Sequence, residues 1–353
     1  MANKLTGWLT IDRLNGEGNS IVTLNASTLA TLGERNASLK IKTSSKEAII
    51  NLYQQHYEEP LIPENIPNNQ IWAKSTDGTA ISPYKYANDF DYDIVKTELR
   101  FDGWTILTFG GDITYIPQAA FQSKEKLQEV VIPKSITSIN RNAFNDCYNL
   151  ESIAIPDSVV SIAENVFNGC WELKTIYIGS GLAEIPDRLL KDCTNLEILS
   201  VSPNNTVFDS RENCNCLIRT ATNTLIKGTP NSFIPNTVVE IYSFAFWGVG
   251  ISSIVIPNSV QYIQNYAFQK SDLTTITIGS NVTYIGMHVF DECYSLKEIT
   301  SYAMTAPSYY ENPFGLMSDN GILRYPSGAT GYNTWLSTDY NYLGYHNWTG
   351  VPF

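Results

Sequence analysis

The sequence predicts a mainly β protein with short helical turns. A small β-sandwich-like N-terminal domain precedes a solenoid of stacked repeats along the chain. Three observations predict the solenoid. Short segments alternate apolar and polar residues as strands do, and an Ile-Pro pair closes two of them, at Ile132-Pro133 and Ile155-Pro156, 23 residues apart. A fixed period in the twenties, with a strand and a turn in every unit, is typical of a solenoid. A bulky apolar residue also recurs every 23 residues and, after an interruption, every 22 residues: Phe121, Phe144, Phe167, Leu190, then Phe246, Phe268 and Phe290.

One repeat unit cannot bury its own apolar face. In the segment NLESIAIP, Ile153 and Ile155 alternate with Ser152 and Ala154, which predicts a strand with one buried face. Pro156 ends that strand because proline has no N–H to donate to the ladder. Stacking the units buries the recurring side chains as ladders, each phenylalanine or isoleucine contributing roughly 1.5–3 kcal/mol. We therefore expect the phenylalanines to form one buried column.

The repeated residues carry a family resemblance. The pattern L-x-x-I-x-I-P-x-x-V-x-x-I-x-x-x-A-F-x-x-C resembles the BspA-type leucine-rich repeats of bacterial surface proteins and some protozoan ones, over residues 113–302. The resemblance implies a leucine-rich-repeat solenoid that acts as a non-enzymatic binding or adhesion protein. Its partner would be a protein, such as a host matrix protein or a cell-surface protein of host or bacterium.

The repeats are interrupted near residues 203–233, which resemble a variant unit common in gut Bacteroidetes members of that family. Residues 216–220 and 224–228 read as two short strands around the turn Ala221-Thr222-Asn223. The sequence therefore predicts a small hairpin on the rim of the solenoid.

The regions outside the repeats predict further units. Residues 1–56 hold four alternating segments, WLTIDRL, SIVTLNAS, ASLKIKTS and EAIINLYQQ, and resemble the BACON-like and related immunoglobulin-like modules that Bacteroidetes attach to surface and glycan-handling proteins. Pro60, Pro63 and Pro67 stiffen a linker at residues 57–68. Because a solenoid must cover its terminal apolar faces, residues 69–112 and 303–353 are predicted to be its N-terminal and C-terminal caps.

Charge and hydropathy exclude several partners. The formal charge of −12 argues against nucleic acid and against anionic lipid, both of which need clustered Lys and Arg. No apolar run is long enough to cross a membrane. The family resemblance implies a cell-surface or secreted protein, yet the opening MANKLTGWLTIDRLNG lacks the apolar core of a secretory signal. Two explanations stay open: an export signal has been removed from this sequence, or the protein is an intracellular interaction scaffold in the cytoplasm.

Four cysteines share one slot of the repeat, three residues after the bulky mark. Equivalent positions of a solenoid point in parallel, whereas a disulfide needs Cβ vectors that face each other. A buried free cysteine behaves as a small apolar residue. We therefore expect a ladder of buried thiols at Cys147, Cys170, Cys193 and Cys293.

The sequence offers no recognisable catalytic or metal-binding constellation. None of the three histidines, His56, His288 and His346, neighbours a nucleophile and a carboxylate in a familiar order. Phosphate-binding, dinucleotide-binding and H-E-x-x-H motifs are absent. Cys214 and Cys216 lie too close together for a typical zinc pair. The predictions are accordingly no enzyme, no cofactor and no metal site.

The outward positions of the repeat strands are the candidate binding residues. Small and β-branched residues dominate them, which predicts a flat and mildly apolar ribbon on which a protein could dock. The same residue types are favoured on any solvated strand, so a purely structural origin stays open. The predicted binding residues are Glu129, Val131, Thr175, Tyr177, Ser253, Val255, Thr275 and Thr277.

An aromatic cluster near the C-terminus is the alternative site. Aromatic rings offer apolar area with polar handles and can stack on sugar rings, which would make the chain a carbohydrate-binding protein. Covering the last repeat would explain the same residues. The alternative binding residues are Trp335, Tyr342 and Trp348.

Overall fold

The structure, a computed structural model, describes residues 66–84, 89–186, 189–190 and 192–353, together with the backbone of strands within residues 3–54. The chain divides into two compact units, Met1–Leu61 and Ile62–Phe353. The side-chain packing of the β-sandwich predicted at 1–56, and the linker predicted at 57–68 as far as residue 65, lie outside the described residues.

The described strands of the first unit are antiparallel and fall into two groups. One is a sheet with the order β1-β2-β3, and the other is the paired ribbon β4-β5. Their bounds are β1 (Asn3–Thr6), β2 (Leu9–Ile11), β3 (Leu24–Ala26), β4 (Arg35–Lys42) and β5 (Glu47–Gln54).

The second unit is a solenoid of short strands joined by turns, with almost no helix among its described residues, which confirms the predicted mainly β fold. Its short helical elements are a 3-10 turn at Arg211–Asn213 and α1 (Tyr332–Trp335). Its strands in chain order are β6 (Gln70–Ser75), β7 (Ile94–Leu99), β8 (Trp104–Phe109), β9 (Tyr115–Ile116), β10 (Leu127–Val131), β11 (Ser138–Ile139), β12 (Ser152–Ile155), β13 (Ser161–Ile162), β14 (Thr175–Ile178), β15 (Ile198–Val201), β16 (Phe208–Asp209), β17 (Leu217–Arg219), β18 (Thr224–Lys227), β19 (Glu240–Ile241), β20 (Ser253–Ile256), β21 (Tyr262–Ile263), β22 (Thr275–Ile278), β23 (Tyr284–Ile285), β24 (Glu298–Ser301), β25 (Ile322–Tyr325) and β26 (Thr349–Pro352).

In four of the repeats a longer strand is followed by a two-residue strand that belongs to another sheet, as in β10 and β11, β12 and β13, β20 and β21, and β22 and β23. The longer strands fall into a first sheet, ordered β15-β14-β12-β10-β6-β8-β7, and a second sheet, ordered β20-β22-β24-β25-β26. The short strands form the ladders β13-β11-β9 and β16-β17-β18-β19-β21-β23. The antiparallel pair β17-β18 is the hairpin that the sequence predicts within the interruption, and it continues a short-strand ladder.

Turns of fixed chemistry keep the repeats in register. After β12 the N–H of Val159 donates to the carbonyl oxygen of Pro156 at 3.1 Å. A later turn places Asn165 at φ 58° and Gly169 at φ 76°, which asparagine and glycine adopt more readily than other residues. The chain thereby returns to the same face one repeat later, directly beside the preceding strand. Ser152 therefore lies opposite Thr175 in the parallel ladder.

The phenylalanines at the recurring repeat position are fully buried. They form two separate stacks, so the prediction of one column is wrong. Rings in neighbouring repeats lie nearly parallel within each stack. The first stack joins Phe121, Phe144 and Phe167 with centroids 5.3 and 5.9 Å apart. The second joins Phe246, Phe268, Phe290 and Phe314 with centroids 5.0–6.2 Å apart.

A glycine interrupts the column. The N–H of Phe121 donates to the carbonyl oxygen of Ala143 at 2.7 Å, and the N–H of Gly228 donates in the same way to Ala245 at 2.9 Å. Gly228 therefore occupies the phenylalanine position of the interrupting unit. A Cβ at Gly228 would collide with the ring of Phe246, so backbone covers that ring where another repeat would place a side chain.

The predicted ladder of buried cysteines is confirmed. The thiol of Cys147 donates to the carbonyl oxygen of Phe121 in the preceding repeat, and burial raises the pKa of this thiol to about 12. Each of these thiols reaches the phenylalanine carbonyl of the preceding repeat at 3.0–3.4 Å: Cys147, Cys170, Cys193 and Cys293.

Replacing Phe167 with alanine should lower the free energy of unfolding by about 3–5 kcal/mol, because a fully buried ring is removed and a cavity remains. Chemical denaturation measures this change. Val160→Ala in the same repeat is the control, since its side chain is 59% exposed and its loss should cost less than about 0.5 kcal/mol. Similar losses for the two variants would contradict the stacked core.

The thiols of Cys147, Cys170 and Cys193 should resist alkylation at pH 8 in the folded protein, because all are buried and burial raises their pKa. Peptide mapping by mass spectrometry after a pulse of iodoacetamide measures this, and the same pulse in guanidinium should label all three. Native labelling of Cys170, or a bridge between any two of them, would contradict the ladder.

Candidate binding surface

The predicted binding residues lie on two different sheets. Alternation along the strands is as predicted, with burial patterns that place every second residue inward in β14, β20 and β22. The single ribbon expected from the sequence is nevertheless wrong, because β15 ends the first sheet and β20 begins the second. On the first sheet lie Glu129, Val131, Thr175 and Tyr177, and on the second lie Ser253, Val255, Thr275 and Thr277.

The outward face of the first sheet extends beyond the repeats into the cap strands. Glu129 lies opposite Lys74 of β6, with which it forms an ion pair at 2.9 Å, and Lys74 lies opposite Trp104 of β8. In the neighbouring row Val131 lies opposite Trp72. Val131 is only 6% exposed, so the prediction that it contacts a partner is wrong.

Two tryptophans and two cations form a cluster on this face. The ring centroids of Trp72 and Trp104 are 6.3 Å apart. The guanidinium of Arg100 lies 5.3 Å from the Trp72 ring centre, and the ammonium of Lys74 lies 5.7 Å from that of Trp104, both within cation–π range. We call Trp72, Trp104, Arg100 and Lys74 the tryptophan cluster.

Sequence reasoning missed the tryptophan cluster, although a signal was present. In QIWAKS, Trp72 stands between Ile71 and Ala73, and the structure buries both neighbours while leaving Trp72 half-buried. Strand alternation alone therefore places this tryptophan on the outward face. Its proximity to Trp104 comes from the antiparallel pairing of β6 and β8, which no repeat pattern encodes.

The repeat positions next to the cluster contribute an aromatic side chain. Tyr177 is half-buried and pairs with Ala154 of β12 in the ladder. Thr175 is half-buried and lies between Ser152 and Ile198 in the next row. Glu129, Thr175 and Tyr177 thus lie with the tryptophan cluster on one face.

The second sheet presents a plainer face. Ser253 and Thr275 are exposed, Thr277 is half-buried, and Val255 is 63% exposed. The register aligns Val255 with Thr277 and Ser253 with Thr275 across β20 and β22. This face has small side chains at the predicted positions and lacks an aromatic anchor there.

The C-terminal tryptophans belong to the core, so the prediction that they form a sugar-binding surface is wrong. Trp335 is fully buried and meets Phe314 edge to face at 5.2 Å, which closes the end of the second stack. Trp348 is 5% exposed, and its indole N–H donates to the carbonyl oxygen of Ser318 at 2.8 Å. Tyr342 is half-buried and packs on another tyrosine. These aromatics cover the last repeat.

The chain belongs to the BspA type leucine rich repeat family. The family profile matches six repeat copies at residues 114–233 and 229–312, which together are more than half of the chain. The predicted solenoid and family resemblance are thereby confirmed. Leucine-rich repeats are a scaffold type in which stacked units present an extended surface.

Several solved structures resemble this chain. A leucine rich cell surface protein from Faecalibacterium prausnitzii A2-165 is 22% identical with a TM-score of 0.44, and the alignment covers 62% of this chain and 65% of that chain, less than two thirds of its length. A leucine-rich repeat protein from Eubacterium ventriosum ATCC 27560 is 20% identical with a TM-score of 0.41, covering 68% and 79%. One from Bacteroides ovatus ATCC 8483 is 15% identical with a TM-score of 0.33, covering 92% and 100%.

A search of curated proteins found no match to this chain. Within the part of the chain that the structure describes, no helix has the length and apolar character needed to span a bilayer.

Proposed function

We propose that this chain binds a protein partner through the outward face of its first sheet. The observation that carries the proposal is the continuity of this face, which runs from the tryptophan cluster across Glu129 to Tyr177. Tryptophan, tyrosine and arginine are the residues most enriched at the centres of protein interfaces, where they supply most of the binding energy.

A protein is favoured over a carbohydrate by the way the indole rings are covered. A sugar ring binds by stacking on an aromatic face, but Arg100 lies over Trp72 and Lys74 lies over Trp104. A sugar would have to displace these cations. A carbohydrate stays the second candidate because two indole rings lie 6.3 Å apart on the same face.

The proposed setting is the surface of a bacterium, with a partner protein on a host cell, in the host matrix or on another bacterium. Membership of the BspA type family supports this, because the family resemblance is to bacterial surface proteins. The alternative, an intracellular interaction scaffold, predicts the protein in the soluble fraction of the native organism. Surface proteolysis of intact cells, with fractionation beside it, separates the two settings.

Tyr177→Glu should abolish partner binding, because it places a charge where an interface must be desolvated. Val255→Glu is the matched control, since it adds the same charge at an equivalent outward position of the second sheet. Surface plasmon resonance against a panel of host matrix and cell-surface proteins measures binding, and thermal denaturation confirms that both variants fold.

Loss of binding in Val255→Glu with retention in Tyr177→Glu would move the site to the second sheet and contradict the proposal. A glycan array run beside the protein panel tests the second candidate. Glycan binding that is lost in Trp104→Ala, with no binding to any protein, would replace the protein partner with a carbohydrate.

We also propose that residues 1–56 form a separate immunoglobulin-like module of the BACON-like kind. The division of the chain after Leu61 supports this proposal, as do the alternating segments of the sequence. Limited proteolysis of the full chain should cut first within residues 57–68 and release a stable fragment that starts near Ile62. Mass spectrometry identifies the cut sites, and early cleavage spread through the repeats would contradict the proposed boundary.

A further inference from the structure

A cavity of about 160 Å³ opens in the side of the solenoid at the break between the two phenylalanine stacks. Its walls are mostly apolar. Leu189, Leu190 and Leu217 are at most 5% exposed, while Phe244 and Trp247 form the opposite wall. Lys227 brings a charged group to this lining.

The cavity follows from two substitutions in the repeat pattern. Gly228 stands where the flanking repeats carry a phenylalanine, and Leu190 holds that position in the preceding repeat. The two repeat levels between Phe167 and Phe246 therefore lack a phenyl ring at this position. The backbone of Gly228 packs on Phe246, and the space beside it stays unfilled by any described side chain.

Lys227 stands where the other repeats carry a buried apolar residue. Ala143 and Ala245 each precede a phenylalanine, just as Lys227 precedes Gly228. Within the described part of the chain, no acceptor lies within hydrogen-bond distance of its ammonium, and no carboxylate forms an ion pair with it. The negative charge of Asp192 favours the charged form of Lys227. The Asp192 carboxylate makes its hydrogen bond with the side-chain amide of Asn168 at 2.9 Å and makes none with Lys227.

Burial governs the electrostatics of this lysine. The side chain is half-buried by area, yet removal of water from around the ammonium lowers the pKa of Lys227 from its usual value. A cation held in an apolar wall without a bonded anion is costly, and an anionic ligand would offset that cost.

We propose that this cavity binds a small monocarboxylate that carries a phenyl ring or a branched alkyl group, with the carboxylate accepting a hydrogen bond from the Lys227 ammonium. The apolar group lies between the leucines and Trp247. A cavity of about 150 Å³ lined by apolar side chains is known to hold benzene, so the volume suits a group of this size. One ammonium balances the single charge of a carboxylate, whereas a phosphate ester carries a charge of about −1.5 to −2 at pH 7. The site does not depend on the proposed protein-binding face.

The test uses the full chain and 3-phenylpropanoate as the probe, with 3-phenylpropanamide as its neutral counterpart. Isothermal titration calorimetry and saturation-transfer NMR measure binding. We expect the carboxylate to bind about tenfold or more tightly than the amide, because the amide oxygen can still accept from the ammonium but carries no charge to pair with it. Lys227→Met should bring the affinity for the carboxylate down to that for the amide. Lys134→Met, at an exposed position, is the matched control and should leave the affinity unchanged.

Equal binding of acid and amide, or full binding by a folded Lys227→Met variant, would overturn the proposal. Ser243 also lines the cavity, and Ser243→Phe should fill it and abolish binding while Lys227 is kept. If Lys227→Met does not fold, Ser243→Phe and the charge-preserving Lys227→Arg decide the question. A peptide ending in phenylalanine with a free carboxylate serves as a further probe. Peptide binding more than about tenfold tighter than that of the free acid would replace the small ligand with a polypeptide C-terminus.

Discussion

The structure depends on the inability of any single repeat to bury its own apolar face. A typical unit has aliphatic side chains and a phenylalanine that become buried only when the next unit stacks in register, and four of the units add a buried thiol. Register is therefore under strong constraint, because a slip would place Ser152 opposite an inward residue. The cysteine ladder shows how closely the constraint is met, since each thiol bonds the carbonyl of the preceding phenylalanine.

The same constraint explains why one interruption has large consequences. Leu190 and then Gly228 at successive phenylalanine positions separate the two stacks of rings, and the longer strands of the two halves lie in two sheets. The short-strand ladder continues through β17, β18 and β19, so the solenoid stays joined along that side. A scaffold that is otherwise closely packed thereby acquires a cavity with a lysine in its wall.

The ends of the solenoid divide its aromatic residues into two roles. At the C-terminal end Trp335 and Trp348 are buried and close the last repeat. At the N-terminal end Trp72 and Trp104 lie on the outward face, because β6 and β8 already cover the first repeat with Ile71, Leu107 and Phe109. Trp72 and Trp104 thereby give the N-terminal end of the first sheet an outward aromatic surface.

The sequence by itself determined the repeat, the inward and outward alternation of strands such as β14, β20 and β22, and the cysteine ladder. All of these follow from a period of 22 or 23 residues, which places equivalent side chains at the same height in successive units. The tertiary structure alone decided that the column divides between Phe167 and Phe246, that Trp72 lies opposite a buried Val131 and that Trp335 is buried. The physical reason is that these features depend on contacts between segments that do not repeat. A period specifies the contacts between one repeat and the next. The pairing of β6 with β10 and the packing of Trp335 of α1 on Phe314 instead cover the apolar surfaces that remain at the two ends of the stack.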